Sequence, residues 1–495
     1  MERYSRDNEI ASSPNDASPE RRMPDYVDAI NRAEAAFRLC WATLTKLKNK
    51  ELSRADGPEL NDFQPVLAQA LFDLDRCYRD VIAYRDARIA FKSHLETADF
   101  LKSMKEAASA KDALSQATQI GKSIGDAFAW IFYANNQPLL TEHQRHAQIF
   151  HMPPGLGGIG ELSFLKSIRS DTHFILYHGI TSFLRVGDVS FVDIATFNVI
   201  GIGELKTEAV SPDSAKVTLH MVGTKDAQRP RIYYHQQTPP SLSKTGRRTK
   251  RSKRMSPVRL RTRLHRQMAV ISETLSRNAS EQSFNLISAY HVRELEDFTN
   301  QITSKPIAYV KIGDGLLLAG LLVERGKPLS ERLLTKTPIS EIIAPAIDLP
   351  QRAAEIMNQS RSDNRLAVGS IDTRATWGSL PLFWWHLDTN ILEKLYFHEL
   401  LIMSLYNSVF LAEKLRRAGF IVAEEKKESG VDLQVSITRD GVTAKIENFH
   451  HFERLISHQL MKEETVVSGL LEVHTKLPPP TNGPVRVLFD FNFRF

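Results

Sequence analysis

From Asp25 to about Asn136, apolar residues return at every third or fourth position, as in Ala29, Ala33, Phe37, Cys40 and Leu44, and again in Leu67, Ala70, Leu74, Cys77 and Val81. That period marks one face of an α-helix. Only Pro58 and Pro65 interrupt it, and Ile124 to Ala134, with Trp130 and Phe132, reads as a last buried helix. The pattern predicts a helical N-terminal domain over residues 26–150. Residues 1–25 hold almost nothing to bury and read as a disordered tail.

The texture changes at His151-Met152-Pro153-Pro154 and the glycine-rich run Gly155 to Gly160. A helix is expected from Glu161 to Ile168. Three runs rich in β-branched and aromatic residues follow, Thr172 to Tyr177, Phe183 to Ile194 and Val199 to Lys206, and predict strands. A polar insertion over 207–255 encloses one strand, Lys216 to Val222. Ser256 then offers an N-cap and Pro257 a first helical residue. The helix they open carries Leu260, Leu264, Met268, Ile271 and Leu275 on one face and Arg259, Arg263, Arg266 and Gln267 on the other. Phe284 to Val292 reads as another strand. Residues 151–292 therefore form a domain in the order helix, three strands, helix, strand. Residues 293–495 form a C-terminal α/β or α+β domain of unassigned role. Its elements are a hairpin at Gly313-Asp314-Gly315, a long apolar helix from Asp388 to Ala418, strands at Val431 to Ile437 and Thr443 to Glu447, a helix near Phe452 to Glu464 and the apolar tail Val485 to Phe495. The fold class expected is mixed α/β.

Composition sets bounds on this picture. At 495 residues the chain has room for about three folding units of ~150 residues. With 42% hydrophobic and 25% charged residues it has the balance of a soluble globular protein. Two cysteines, Cys40 and Cys77, make no disulfide framework and suit a reducing compartment, so a cytoplasmic location is expected. No run approaches the ~20 apolar residues of a membrane span, and no membrane association is expected. Charge adds the first functional clue. The net charge is +6, yet the window Lys244 to Arg266 alone holds eleven Lys and Arg and no acid, leaving −5 for the rest. Basicity that local suits a phosphate backbone. Arg247, Arg248, Lys250, Arg251, Lys253 and Arg254 in the insertion, with Arg259, Arg263, Arg266 and Gln267 on the helix, are the candidate nucleic-acid contacts. A solvated loop is the plainer explanation of the same run.

The candidate chemistry lies in two neighbouring strands. Asp188 follows Leu184-Arg185-Val186-Gly187, and Glu204 and Lys206 close Ile200-Gly201-Ile202-Gly203-Glu204-Leu205-Lys206. Alternation along a strand puts Glu204 and Lys206 on one face. Asp188, one strand earlier, can then stand beside them. Two carboxylates and the carbonyl of Leu205 are the hard oxygen donors that Mg²⁺ or Mn²⁺ prefers, with positions left for water and phosphate. Such a metal neutralises phosphate charge and lowers the pKa of bound water.

This arrangement resembles the PD-(D/E)XK nuclease superfamily, whose restriction-endonuclease-like core has the order αβββαβ. The resemblance covers about residues 155–292. It implies that Asp188 is the motif aspartate, that Glu204 and Lys206 are the (D/E)XK pair, and that Glu161 is the acid on the first core helix. Arg263 or Gln267 matches the polar residues on the second helix. Asp188 and Glu204 would hold Mg²⁺ or Mn²⁺, Lys206 would assist the attacking water, and Glu161 would complete the site. Gly187 stands where the motif has proline, and a polar insertion separates the third strand from the second helix. The tripeptide acid-x-Lys also occurs at Glu424 and Glu425, but only Glu204 follows an Asp-bearing strand and precedes a basic helix. A surface salt-bridge cluster at strand ends is the competing explanation. For Glu161 it is a favourable helix dipole.

Other motifs are discounted. Gly155-x-Gly157-x-x-Gly160 lacks the preceding strand of a dinucleotide fingerprint. Gly121-Lys122-Ser123 lacks the upstream glycine of a P-loop. His143, His146 and His151, like His450, His451 and His458, lack metal-ligand spacing, and Trp384-Trp385 reads as core. Two functions are expected in order. The first is a Mg²⁺-dependent nuclease acting on nucleic acid, DNA ranked ahead of RNA though the sequence does not distinguish them, with a place in phage defence implied by the resemblance. The second is a non-catalytic nucleic-acid-binding or assembly protein on a degenerate nuclease-like fold, with the N-terminal helices as its homo-oligomer or partner interface.

Overall fold

The computed structural model describes residues 22–492 apart from 54–55, 147–155, 169–172, 212–213, 224–230, 238–256, 278–282, 288, 324–325, 335–344, 346, 359–363, 372, 374–379, 428–429, 440–441, 447–448 and 477–487. The architecture is mixed α/β, with a helical N-terminal region and three small antiparallel sheets.

The N-terminal helices form where the apolar period predicts them. Helix α1 (Tyr26–Lys48) opens on Asp25, whose carboxylate accepts the Asp28 N–H at 3.0 Å and satisfies a donor that has no partner within the helix. It is followed by α2 (Gly57–Ala90), which contains Pro65, and α3 (Thr97–Tyr133). The faces carrying Phe37, Leu44, Leu67, Leu74 and Ile124 are buried. Phe63 stacks on Phe128 at 3.9 Å between ring centroids. The segment Gly121-Lys122-Ser123 lies inside α3, where a side chain on Gly121 would run into Phe37.

Next come α4 (Gln137–Arg145), α5 (Leu156–Ser167) and strands β1 (His173–Tyr177), β2 (Val189–Asp193), β3 (Val199–Ser211), β4 (Ser214–Gly223) and β5 (Arg231–Gln237). The strands pair antiparallel in chain order. Three sequence expectations change here. Helix α5 begins at Leu156, so it takes in Gly157 and Gly160 of the glycine-rich run and carries Glu161 in its interior rather than its first turn. A side-chain carbon at Gly160 would fall 2.3 Å from Thr207 Oγ1 on β3, so that glycine serves close helix-to-strand packing. Residues 183–188 are not strand, and β2 is confined to Val189–Asp193. The strand expected at Lys216 to Val222 is present as β4, but it pairs with β3 in a long hairpin and is extended by β5, so the insertion adds two strands to the sheet of three.

Edge strand β1 is covered by α2. Gln64 donates to the Ile175 carbonyl at 2.8 Å and accepts the Tyr177 N–H at 2.7 Å, doing for that edge what another strand would do. Helix α2 thus buries part of its surface against this chain's own sheet.

Helix α6 (Pro257–Arg277) and β6 (Ser283–Ile287) follow. The C-terminal region contains α7 (Val292–Ser304), β7 (Ile307–Ile312), β8 (Leu316–Leu322), α8 (Leu329–Leu334), α9 (Leu349–Glu355), β9 (Leu366–Ser370), α10 (Thr389–Tyr396), β10 (Leu400–Asn407), α11 (Val409–Arg417), β11 (Ile421–Lys427), β12 (Gly430–Arg439), β13 (Val442–Ile446), α12 (His450–Gln459), α13 (Glu463–Lys476) and β14 (Leu488–Asn492). One sheet has the order β7-β8-β10-β9 and another β11-β12-β13. The hairpin at Gly313-Asp314-Gly315 joins β7 to β8 as expected. The long helix expected over 388–418 is instead helix, strand, helix. Its middle, Leu400–Asn407, is an inner strand buried on both faces, and such a continuous apolar run has no period to distinguish strand from helix. The expected 452–464 helix breaks at Leu460, which takes a left-handed backbone with φ +54°. Strand β6 ends at Ile287 and pairs in parallel with β14. It cannot take the place beside β3, whose second edge is filled by β4.

The C-terminal region docks on α1. Arg38 donates to Glu393 at 2.5 Å and Glu399 at 2.7 Å, and Trp41 packs against Phe383 and Tyr396, each 5.0 Å away between centroids. Trp385 is buried, and the Trp384 indole donates to the Ala127 carbonyl at 2.8 Å, so this tryptophan pair is structural. No described helix is long and apolar enough to cross a membrane.

Candidate active site

The turn ahead of β2 and strand β3 bring Asp188, Glu204 and Lys206 together. Gly187 makes the turn ahead of β2 with φ +70°, and a side-chain carbon there would lie 2.5 Å from Ile202 Cγ2 and 2.9 Å from the Gly203 carbonyl. Only glycine fits that geometry. Proline, fixed near φ −65°, could not, so Gly187 rather than the motif proline shapes this corner. The Asp188 N–H donates to the Gly203 carbonyl at 2.7 Å, and Asp188 Oδ2 accepts the Leu205 N–H at 2.6 Å. The aspartate is thereby tied to the backbone between Glu204 and Lys206. Lys206 Nζ donates to Glu204 Oε1 at 2.5 Å.

Glu161 joins them from α5. Its Oε2 accepts the Tyr177 hydroxyl at 2.5 Å. Burial raises the Glu161 carboxyl to about 7, with the Glu204 charge adding to the rise, against the Tyr177 hydrogen bond and Lys206. Asp188 is raised well above its ordinary range, by burial first and then by Glu204 and Glu161. The Tyr177 hydroxyl is raised too, by burial and then by Glu161. Asp188 and Glu204 are 6% and 4% exposed, Glu161 4%, and the Lys206 side chain 32%. The salt bridge expected on the plainer explanation is present between Lys206 and Glu204, but the three acids are buried rather than at the surface. Burial within the body of α5 likewise removes the helix-dipole account of Glu161.

Among the described residues, no three His, Cys, Asp or Glu side chains form a ready-made metal cage. The acids here are oxygen donors of the kind a hard divalent cation takes, and they stand beside the single ammonium group of Lys206. Asp188 and Glu204 are the residues that could hold it, with the Leu205 carbonyl, water and a phosphate completing the shell. A cavity of about 350 Å³ between α1, α2 and Lys166 lies apart from these residues.

The sequence reading missed His220. It stands directly across the β3–β4 ladder from Glu204, and burial followed by the Lys206 charge lowers its pKa. The signal was Ser211-Pro212-Asp213-Ser214, a turn tetrapeptide. Ser211 pairs with Ser214, and a one-residue register shift between Ala209 and Ser211 then brings Glu204 opposite His220. His143, set aside as a ligand, is a fully buried hydrogen-bonding residue in contact with Tyr133.

The expected nucleic-acid contacts divide. Arg263 and Arg266 are exposed on α6, which packs against β3 and β4 through buried Ile271 and Leu275. Gln267 is half-buried, and its Oε1 has no hydrogen-bond partner. The backbone of Arg259 belongs to α6, while its side chain lies outside what the structure describes. Arg247, Arg248, Lys250, Arg251, Lys253 and Arg254 lie outside the described residues. No family model, curated protein or solved structure matches the chain.

Proposed function

We propose that the protein is a nuclease, dependent on Mg²⁺ or Mn²⁺, that hydrolyses phosphodiester bonds of nucleic acid, with DNA as substrate and phage defence as setting on the strength of the superfamily resemblance. The observation that carries this reading is the buried, mutually repelling set Glu161, Asp188 and Glu204 with Lys206 as its partly open cation. Buried acids that raise one another's pKa around one lysine cost stability, and such groups concentrate at functional sites. Asp188 and Glu204 hold the cation, whose chemistry is to neutralise phosphate charge and acidify water. Lys206 orients the attacking water or balances charge growing on the phosphate. Glu161, hydrogen-bonded to Tyr177, sets the charge of the cluster. Arg263 and Arg266 lie on a helix packed against β3 and offer the phosphate backbone a sequence-independent grip.

Incubation of the purified protein with DNA and with RNA, in Mg²⁺, Mn²⁺ or chelator, tests the reading. Cleavage should need the cation, and Asp188→Ala or Lys206→Ala should slow it at least about 100-fold while nucleic-acid binding persists. Undiminished cutting by either variant, or cutting in chelator, refutes it. Binding without cutting of any substrate favours a non-catalytic binding protein.

A further inference from the structure

Behind the candidate site runs a buried chain of four polar side chains that no step of the proposed reaction uses. Tyr133 closes α3, His143 lies in α4, His178 follows β1, and Ser190 lies on β2 two residues after Asp188. Its contacts are Val186 N to His143 Nδ1 at 3.2 Å, His143 Nε2 to Tyr133 Oη at 3.0 Å, Tyr133 Oη to Ser190 Oγ at 2.6 Å, Ser190 Oγ to His178 Nε2 at 2.6 Å, and His178 Nδ1 to the Gly187 carbonyl at 3.0 Å.

Backbone groups fix both ends, and this sets the direction of every bond between them. The Val186 N–H can only donate, so His143 Nδ1 accepts and Nε2 carries the hydrogen. His143 therefore donates to Tyr133, whose own hydrogen goes to Ser190, whose hydrogen goes to His178 Nε2. That leaves the hydrogen of His178 on Nδ1, pointed at a carbonyl that can only accept. Each group has a partner, both rings are neutral, and one arrangement of hydrogens satisfies all five bonds. The His178 backbone N–H adds a bond of 2.9 Å to the Asp188 carbonyl.

We propose that His178 is a positioning residue for Asp188. Through its side chain and its main chain it holds the carbonyls of Gly187 and Asp188, and the Ser190-Tyr133-His143 relay anchors its ring in the helical region. The Asp188 carboxylate is thereby aimed at the Leu205 N–H and the cation position, although no member of the relay touches substrate. The part that concerns the cation rests on the nuclease reading. The part that concerns the Asp188 carboxylate does not.

Two isosteric variants separate positioning from simple support. Asparagine puts an amide nitrogen near the place of Nδ1, where it can donate to Gly187, and glutamine puts its amide oxygen near that of Nε2, where it can accept from Ser190. His178→Asn should therefore keep the bond to Gly187, while His178→Gln should keep only the link to Ser190. Amide hydrogen exchange at Leu205, whose N–H binds Asp188 Oδ2, reports whether the carboxylate stays in place with or without a cation. Exchange at Leu205 should quicken at least tenfold in His178→Gln and change little in His178→Asn. Mn²⁺ affinity by calorimetry should fall about tenfold in the glutamine variant and be held in the asparagine variant. Equal Leu205 exchange in the two variants overturns the proposal even if both melt at lower temperature. The exchange difference without Mn²⁺ uptake by the unaltered protein supports positioning and refutes the nuclease reading instead. If either variant fails to fold, Ser190→Ala, which orphans His178 Nε2 and the Tyr133 hydroxyl, should quicken Leu205 exchange, and unchanged exchange overturns the proposal.

Discussion

Replacing Glu161 with glutamine should stabilise the cation-free protein at alkaline pH. The carboxyl is raised from 4.5 to about 7, by burial first and then by Glu204. A carboxyl whose folded-state pKa stands above its unfolded value makes the fold lose stability as pH climbs from the unfolded value through the folded one. The loss therefore develops between pH 4.5 and about 7 and is complete near pH 8. It amounts to about 3 kcal/mol at ~1.4 kcal/mol per pH unit. Glutamine abolishes the titration yet keeps an oxygen to accept the Tyr177 hydroxyl, so most of that loss should be recovered. With an unfolding entropy of about 2.1 cal/mol/K per residue over 495 residues, the melting midpoint should rise by about 3 °C at pH 8. At pH 4.5 the difference should nearly vanish. Because Asp188 is also raised by Glu161, the proton belongs to the cluster, and its titration will be broader than that of one group. Scanning calorimetry of both proteins in chelator, from pH 4.5 to 8, makes the measurement. Parallel midpoint curves across that range would refute the electrostatic account of the site.

Two further outcomes follow from other parts of the structure. Gly187→Ala combines a backbone with φ +70° and a side chain placed 2.5 Å from Ile202 Cγ2, so it should cost roughly 1–3 kcal/mol. It should also displace Asp188, and a denaturant midpoint equal to that of the parent protein would contradict the turn geometry. Exchanging Arg263 and Arg266 together for glutamate should weaken DNA binding and lower the dependence of log affinity on log salt by about 2, at roughly 0.9 for each phosphate no longer neutralised. Binding titrations at several salt concentrations measure that slope, and an unaltered slope would remove α6 from the interface.

Local pattern specifies the elements that have one period and one buried side. The helix Tyr26–Lys48, the Ile124 to Tyr133 end of the helix that begins at Thr97, the hairpin at Gly313 to Gly315, and Glu204 and Lys206 on one face of a strand were legible because a single short-range repeat or turn signal defines each. Legibility failed where burial on both sides erases the period. Leu400–Asn407 reads as helix and is an inner strand, for which only the neighbours β8 and β9 decide. Strands Val199 to Lys206 and Lys216 to Val222 were legible singly, but their pairing, and with it the register that sets His220 opposite Glu204, was not. Partners distant along the chain were invisible for the same reason. Packing between remote segments buried Glu161 beside Tyr177, sixteen residues away, and joined Tyr133 to Ser190, fifty-seven residues away. Residue type and spacing supplied a set of groups able to do chemistry. Which of them share a dry site, close enough to perturb one another, depends on long-range packing, because a charge is perturbed by what surrounds it in space and not by its neighbours in sequence.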